Sequence, residues 1–145
     1  MKLSSGGTST PERITLRFGV FFDGTCTNQP NAPALAGQGG SYANALRHVA
    51  LLPALYPADA TRADGQLALL KRYVEGVGTL AGEADQVYAS ATGRGRTGAE
   101  ARVAEALQGI AGQLQGWCGA HPQVLLERLE FDLFGFSRGA AAVRH

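Results

Sequence analysis

Apolar residues recur at every second position over Ile14, Leu16, Phe18, Val20 and Phe22, and this period predicts a first strand. Leu129, Phe131 and Leu133 alternate with Glu130 and Asp132 and predict another strand, which runs into Gly135. Between them, Leu67 to Val74 is a short apolar run ending at Gly76-Val77-Gly78, read as a strand and its turn. The period changes in Val103, Leu107, Ile110, Leu114 and Trp117, whose spacings of four, three, four and three predict one helical face covering the sheet. Gly109, Gly112 and Gly116 weaken that helix, each by about 1 kcal/mol relative to Ala, and suggest close packing on the strands. Ser41 caps an earlier helix with Tyr42, Leu46, Val49 and Ala50 on its apolar face, ending at Pro53. Residues 1–12 read as a flexible tail, residues 25–40 as a loop rich in Pro, Asn, Ala and Gly, and Pro57 to Gly65 as a polar connection.

Strands alternating with helices predict an α/β fold: a mainly parallel sheet with helices on both faces. Function in such sheets gathers at the carboxyl ends of the strands. Asp23-Gly24-Thr25, Gly76-Val77-Gly78-Thr79 and Ser137 all fall there, so the topology brings them to one crevice although they are distant in sequence. The Gly-Val-Gly turn lacks both the P-loop pattern and a complete Gly-x-Gly-x-x-Gly, which argues against a phosphate loop.

Gly135-Phe136-Ser137-Arg138-Gly139 lies between the last strand and Ala140-Ala141-Ala142-Val143, a stretch without a helix breaker. That context reads as a nucleophile elbow, a sharp strand-to-helix turn that projects a serine hydroxyl from the sheet edge. Gly135 and Gly139 remove the Cβ atoms that would collide as strand and helix pack closely. Without that context the pentapeptide would be a Gly-rich turn holding an incidental serine. In the elbow reading Ser137 attacks an ester carbonyl, and the backbone N–H of Arg138 is one donor to the resulting oxyanion. The second donor comes from a loop after an earlier strand, where Gly24 or Thr25 is the natural candidate. Asp23 either orients that loop by accepting backbone hydrogen bonds or forms a simple Asx turn.

Phe21-Phe22-Asp23-Gly24-Thr25 with Asn28, paired with Gly135-Phe136-Ser137-Arg138-Gly139-Ala140, resembles the type VI secretion lipase effectors. These belong to a wider group of α/β-hydrolase-like proteins of bacteria and fungi. Tyr73-Val74-Glu75-Gly76-Val77-Gly78-Thr79 and Ala91-Thr92-Gly93-Arg94-Gly95 extend the resemblance in the family's order. It implies a serine phospholipase acting on acyl esters of membrane phospholipids in a competing cell. It further implies an immunity protein and a secretion spike protein as partners, and export without a signal peptide.

At 145 residues and 45% apolar content the chain can bury one modest core, whereas catalytic α/β hydrolases are usually longer. Residues 13–145 are therefore expected to be the N-terminal portion of such a domain, cut after the elbow. A formal charge of +1 argues against nucleic-acid binding. The local basic group Arg94, Arg96 and Arg102 reads as a solvated helix entry. Cys26 and Cys118 have no metal-site spacing and are expected as buried or partly buried free thiols; no metal or other cofactor is expected. No apolar run approaches the roughly 18 residues of a membrane span and the start is not a signal peptide, so cytoplasmic synthesis is expected.

A serine nucleophile needs a base, and the hydrolase order is serine, acid, histidine. His145 lies eight residues beyond Ser137, roughly 12 Å of helical rise, and Asp132 is five strand residues back, roughly 16 Å. His121 follows the long helix and His48 belongs to an apolar-faced helix. None of these reaches the hydroxyl, so the acid and base are expected outside this chain, which alone would be inactive. Two other readings remain open at this point: a non-catalytic remnant or interaction module of the same fold, and a soluble hydrolase of small esters.

Overall fold

Glu12–Phe22 forms strand β1, and its even-numbered apolar residues from Ile14 to Val20 are all at most 1% exposed. The computed structural model describes residues 10–25, 53, 56, 61–64, 66–78 and 98–144. Burial alternates along the first half of β1 and becomes continuous from Phe18 onward, as expected where both faces of a parallel strand are covered. The other strands are β2 (Thr61–Asp64), β3 (Leu67–Val74) and β4 (Val124–Gly135), and their order across the sheet is β2-β3-β1-β4. Both β3 and β4 run parallel to β1, while β2 pairs antiparallel with β3. This is the α/β arrangement expected of a partial α/β-hydrolase-like fold.

Strand β2 corrects one expectation, because it lies within the stretch read as a polar connection. Thr-Arg-Ala-Asp offers no apolar alternation, and an edge strand needs little, since its ladder bonds come from the backbone. The last strand is also longer than the alternation suggested. A register shift pairs Ile14 with Leu126 but Thr15 with Arg128, leaving Glu127 as an extra residue. Beyond this bulge the apolar alternation resumes, and before it the period-two signal is broken.

Helix α1 (Ala99–Ala120) packs on the face formed by Ile14, Leu16, Phe18, Val20 and Phe22 together with Ala68, Leu70 and Val74. Ala106 and Trp117 are its buried apolar contributions, with Val103, Ile110 and Leu114 partly buried beside them. Leu107, expected on the covering face, is 62% exposed. The face is therefore centred one position away, and the small Ala106 allows the helix to approach the sheet. Helix α2 (Arg138–Ala142) places Ala142 and Val143 against the same core, so both described helices lie on one face of the sheet. The helix expected from Ser41 lies outside the described residues.

The opposite face is polar and aromatic. Arg17 donates twice to Glu130 Oε2, from Nε at 3.0 Å and Nη2 at 2.7 Å, and this holds the Glu130 carboxyl below its usual range and the guanidinium above its own. Tyr56 lies over Gly19, packs its ring edge-on against Phe21 and Phe134, and donates its hydroxyl to Asp132. Burial, with the Asp132 carboxylate second, pushes the Tyr56 phenol up to about 12.

Two further expectations need correction. Arg102 is 4% exposed rather than solvated: it pairs with Glu105 at 2.6 Å and with Glu75 at 3.5 Å, tying the first turns of α1 to the end of β3. An arginine near a helix start is disfavoured by the dipole, and the two carboxylates offset that penalty. Cys118 is an exposed free thiol rather than a buried one, because it lies on the face of α1 that turns away from the sheet. Cys26, Arg94 and Arg96 lie outside the described residues.

Candidate active site at the carboxyl edge of the sheet

Phe22 pairs with Gly135 at the ends of β1 and β4, so the turns that follow these strands begin side by side. The ladder continues one step further, with Phe136 N donating to Phe22 O at 3.2 Å and Asp23 N to Val74 O at 3.0 Å. Three parallel strands thus deliver Asp23-Gly24-Thr25, Gly76-Val77-Gly78 and Phe136-Ser137 to one edge. Thr79 lies outside the described residues.

Ser137 has φ 54° and ψ −125°, and among the described residues no other non-glycine has positive φ. Such a backbone costs on the order of 1–3 kcal/mol for a residue with a Cβ and persists only where its surroundings impose it. The surroundings do so here through two glycines. A Cβ on Gly135 would stand 2.7 Å from the backbone of Ala140, and one on Gly139 would stand 2.4 Å from Asp23 O and 2.6 Å from Phe22 O. Strand, turn and helix are therefore pressed together, and the chain reverses within the single residue Ser137. The side chain of Ser137 makes no capping hydrogen bond to α2, and the residue is exposed. The N–H of Arg138 is the first of α2, a position with no intrahelical acceptor.

Asp23 is 1% exposed and accepts at both carboxyl oxygens: Gly24 N donates to Oδ1 at 2.8 Å and the Tyr73 hydroxyl to Oδ2 at 2.5 Å. Its own carbonyl faces Gly139, so the turn after β1 abuts the elbow directly. The structure therefore brings together Asp23, Gly24, Thr25, Gly135, Ser137, Arg138 and Gly139. Sequence reasoning assigned no role to the Tyr73 hydroxyl. The signal was present, since Tyr73 pairs in register with Phe21 and so shares a sheet face with Asp23 two residues on.

Bases and acids are differently placed. Among the described residues the one histidine is His121, which caps α1, stacks on Trp117 and has Nδ1 2.8 Å from Trp117 O. It precedes a strand of 12 residues whose far end meets the elbow, a separation on the order of 35 Å. Asp132 is held by Tyr56 on the polar face. His48 and His145 lie outside the described residues. An apolar cavity of about 290 Å³ opens between α1, α2 and β4, lined by Val103, Leu107, Phe131, Leu133 and Val143 among others. Ser137 is not among the residues that line it. Among the described residues no three His, Cys, Asp or Glu side chains group as metal ligands, and no helix is long and apolar enough to cross a membrane.

A solved structure titled as the Tle1 effector bound to the VgrG spike from the Type 6 secretion system is similar in fold, with a TM-score of 0.53 and 24% sequence identity. The match covers 100% of this chain and 34% of that chain. No family model and no curated protein matches this chain.

Proposed function

We propose that this chain is the N-terminal portion of a serine ester hydrolase catalytic domain, with Ser137 as nucleophile. The observation that carries the reading is the backbone of Ser137, a strained residue held between two glycines that have no room for a Cβ, at the strand edge where an α/β hydrolase does its chemistry. In this reading Ser137 Oγ attacks an acyl carbonyl carbon, its proton passes to a base, and the alcohol leaves as the tetrahedral intermediate collapses to an acyl-enzyme. The oxyanion is met by the N–H of Arg138 and by a second N–H from the turn after β1. Of the two candidates there, Thr25 is favoured, because Gly24 N already donates to Asp23.

The acid and the base come from polypeptide beyond residues 1–145, which completes the domain alongside β4. Two observations support this. Among the described residues His121 lies at the far end of β4, Asp132 is bonded by Tyr56 and Asp23 is engaged by Gly24 N and the Tyr73 hydroxyl. The apolar face of β4 is also open, with Leu129, Phe131 and Leu133 between 37% and 48% exposed. Likeness to a spike-bound effector supports a secretion spike as carrier, and the resemblance of the motifs around Asp23 and Ser137 to the lipase effectors supports a phospholipid substrate and a cognate immunity protein as inhibitor.

The test is labelling by a fluorophosphonate probe, comparing the 145-residue chain with a longer polypeptide that includes the in-frame sequence downstream, each with Ser137→Ala as control. The expected outcome is labelling of the longer polypeptide alone, lost in the control, with release of fatty acid from phospholipid vesicles. Labelling of the short chain would show that a base lies within it. An unlabelled longer polypeptide that is folded by circular dichroism would sink the reading, and preference for short-chain esters over vesicles would move it to a small-ester hydrolase.

A further inference from the structure

We infer that Tyr73 is a positioning residue for the oxyanion-binding turn, acting through Asp23; its catalytic consequence rests on the hydrolase reading above. A carboxyl group bonded at one oxygen alone can turn about its Cβ–Cγ bond and release its partner. Asp23 is instead bonded from two sides, by Gly24 N at 2.8 Å on its own turn and by the Tyr73 hydroxyl at 2.5 Å on the neighbouring strand. Its backbone is joined to that strand as well, through Asp23 N and Val74 O at 3.0 Å. The turn after β1 is thus clamped to β3 by main chain and side chain together.

What makes this clamp more than packing is where it acts. The bond to Asp23 fixes the Gly24 amide, and with it the start of the residue whose far side carries the Thr25 N–H. The same turn abuts the elbow, because Gly139 has no space between itself and Asp23 O. A preorganised donor is worth most when it is fixed before charge develops, and a donor free to swing loses that advantage. The tyrosine hydroxyl reaches the turn through Asp23, which in turn holds the Gly24 amide. Phenylalanine at this position keeps the ring and removes only the side-chain link between β3 and the turn.

The test uses amide hydrogen exchange by NMR on the 145-residue chain, and fluorophosphonate labelling rates on the longer polypeptide, for Tyr73→Phe and Asp23→Asn. Losing one hydrogen bond to a carboxyl should speed exchange at the Gly24 amide by about tenfold, with the amides of Val20 and Leu70 within about twofold of the parent. Ser137 labelling should slow by a similar factor, and ester turnover should fall in kcat with KM unchanged. An unchanged Gly24 amide overturns the inference, as does acceleration of all the β1 amides together, which marks a merely structural role. A loosened Gly24 with full labelling also overturns it. If the parent serine never labels, the hydrolase reading fails, whereas the exchange result still decides whether Tyr73 orders the turn.

Discussion

Ser137 keeps its unfavourable backbone because its neighbours permit no other path. A glycine at 137 would adopt φ 54° and ψ −125° without the Cβ penalty, whereas alanine would retain it. Thermal unfolding should therefore show Ser137→Gly more stable than Ser137→Ala by roughly 1–2 kcal/mol. Gly139→Ala should go the other way, because the added Cβ meets two backbone carbonyls that cannot swing aside. A loss of roughly 3 kcal/mol or failure to fold is expected there. Tyr56 supplies a titration at the same scale. Its phenol is raised from 10.0 to about 12, so its stabilising contribution is complete below pH 10 and disappears as the pH rises toward 12. Absorbance of the phenolate against pH should show a late-ionising step that is missing in Tyr56→Phe.

Among the secondary-structure elements, the glycines of α1 separate into two kinds that sequence alone treats alike. Gly112 and Gly116 have nothing within 4 Å of where a Cβ would stand, so Gly112→Ala and Gly116→Ala should each stabilise by about 1 kcal/mol in chemical denaturation. Gly109 instead lies under the Arg72 guanidinium, with Cζ at 1.9 Å from the place a Cβ would take. Alanine there must displace the arginine, and its helix-propensity gain should be cancelled. Between strands, the Arg17 and Glu130 pair sets an acid limit. The Glu130 carboxyl is held below its usual 4.5 by the Arg17 hydrogen bonds, so the pair contributes fully above that pH and is lost as the pH falls through the lowered value. A Glu130→Gln variant should be less stable than the parent near neutrality and converge with it in acid, and added salt should shrink the gap because both side chains are partly exposed. Strand β1 was legible because its own residues alternate, and β3 because its apolar run stops at a glycine turn. Strand β2 and the bulge at Glu127 were not, since backbone pairing creates the first and register the second.

Over the molecule as a whole, the described helices lie on one face of the sheet and leave Leu129, Phe131 and Leu133 of β4 exposed there. Leu107 on α1 and Phe131 and Leu133 on β4 are exposed around one apolar cavity, and apolar patches of this kind drive association. Light scattering should therefore rise with protein concentration, and Leu107→Glu should reduce it while shifting the unfolding midpoint little, because that side chain is 62% exposed already.

Period, glycine placement and parallel connection are local or topological properties, and they were enough to order the principal elements, to set the strand-to-helix turn at residues 135–139 and to bring the turns after β1, β3 and β4 to one edge of the sheet. Which groups meet was settled instead by the docking of segments far apart in the chain. Tyr73 clasps Asp23, Arg102 is buried between two glutamates, Gly109 shelters Arg72, and Ala106 rather than Leu107 faces the core. Each of these contacts depends on how closely the helix approaches the sheet and on how one strand registers against the next, and no periodicity within a single segment encodes such distances.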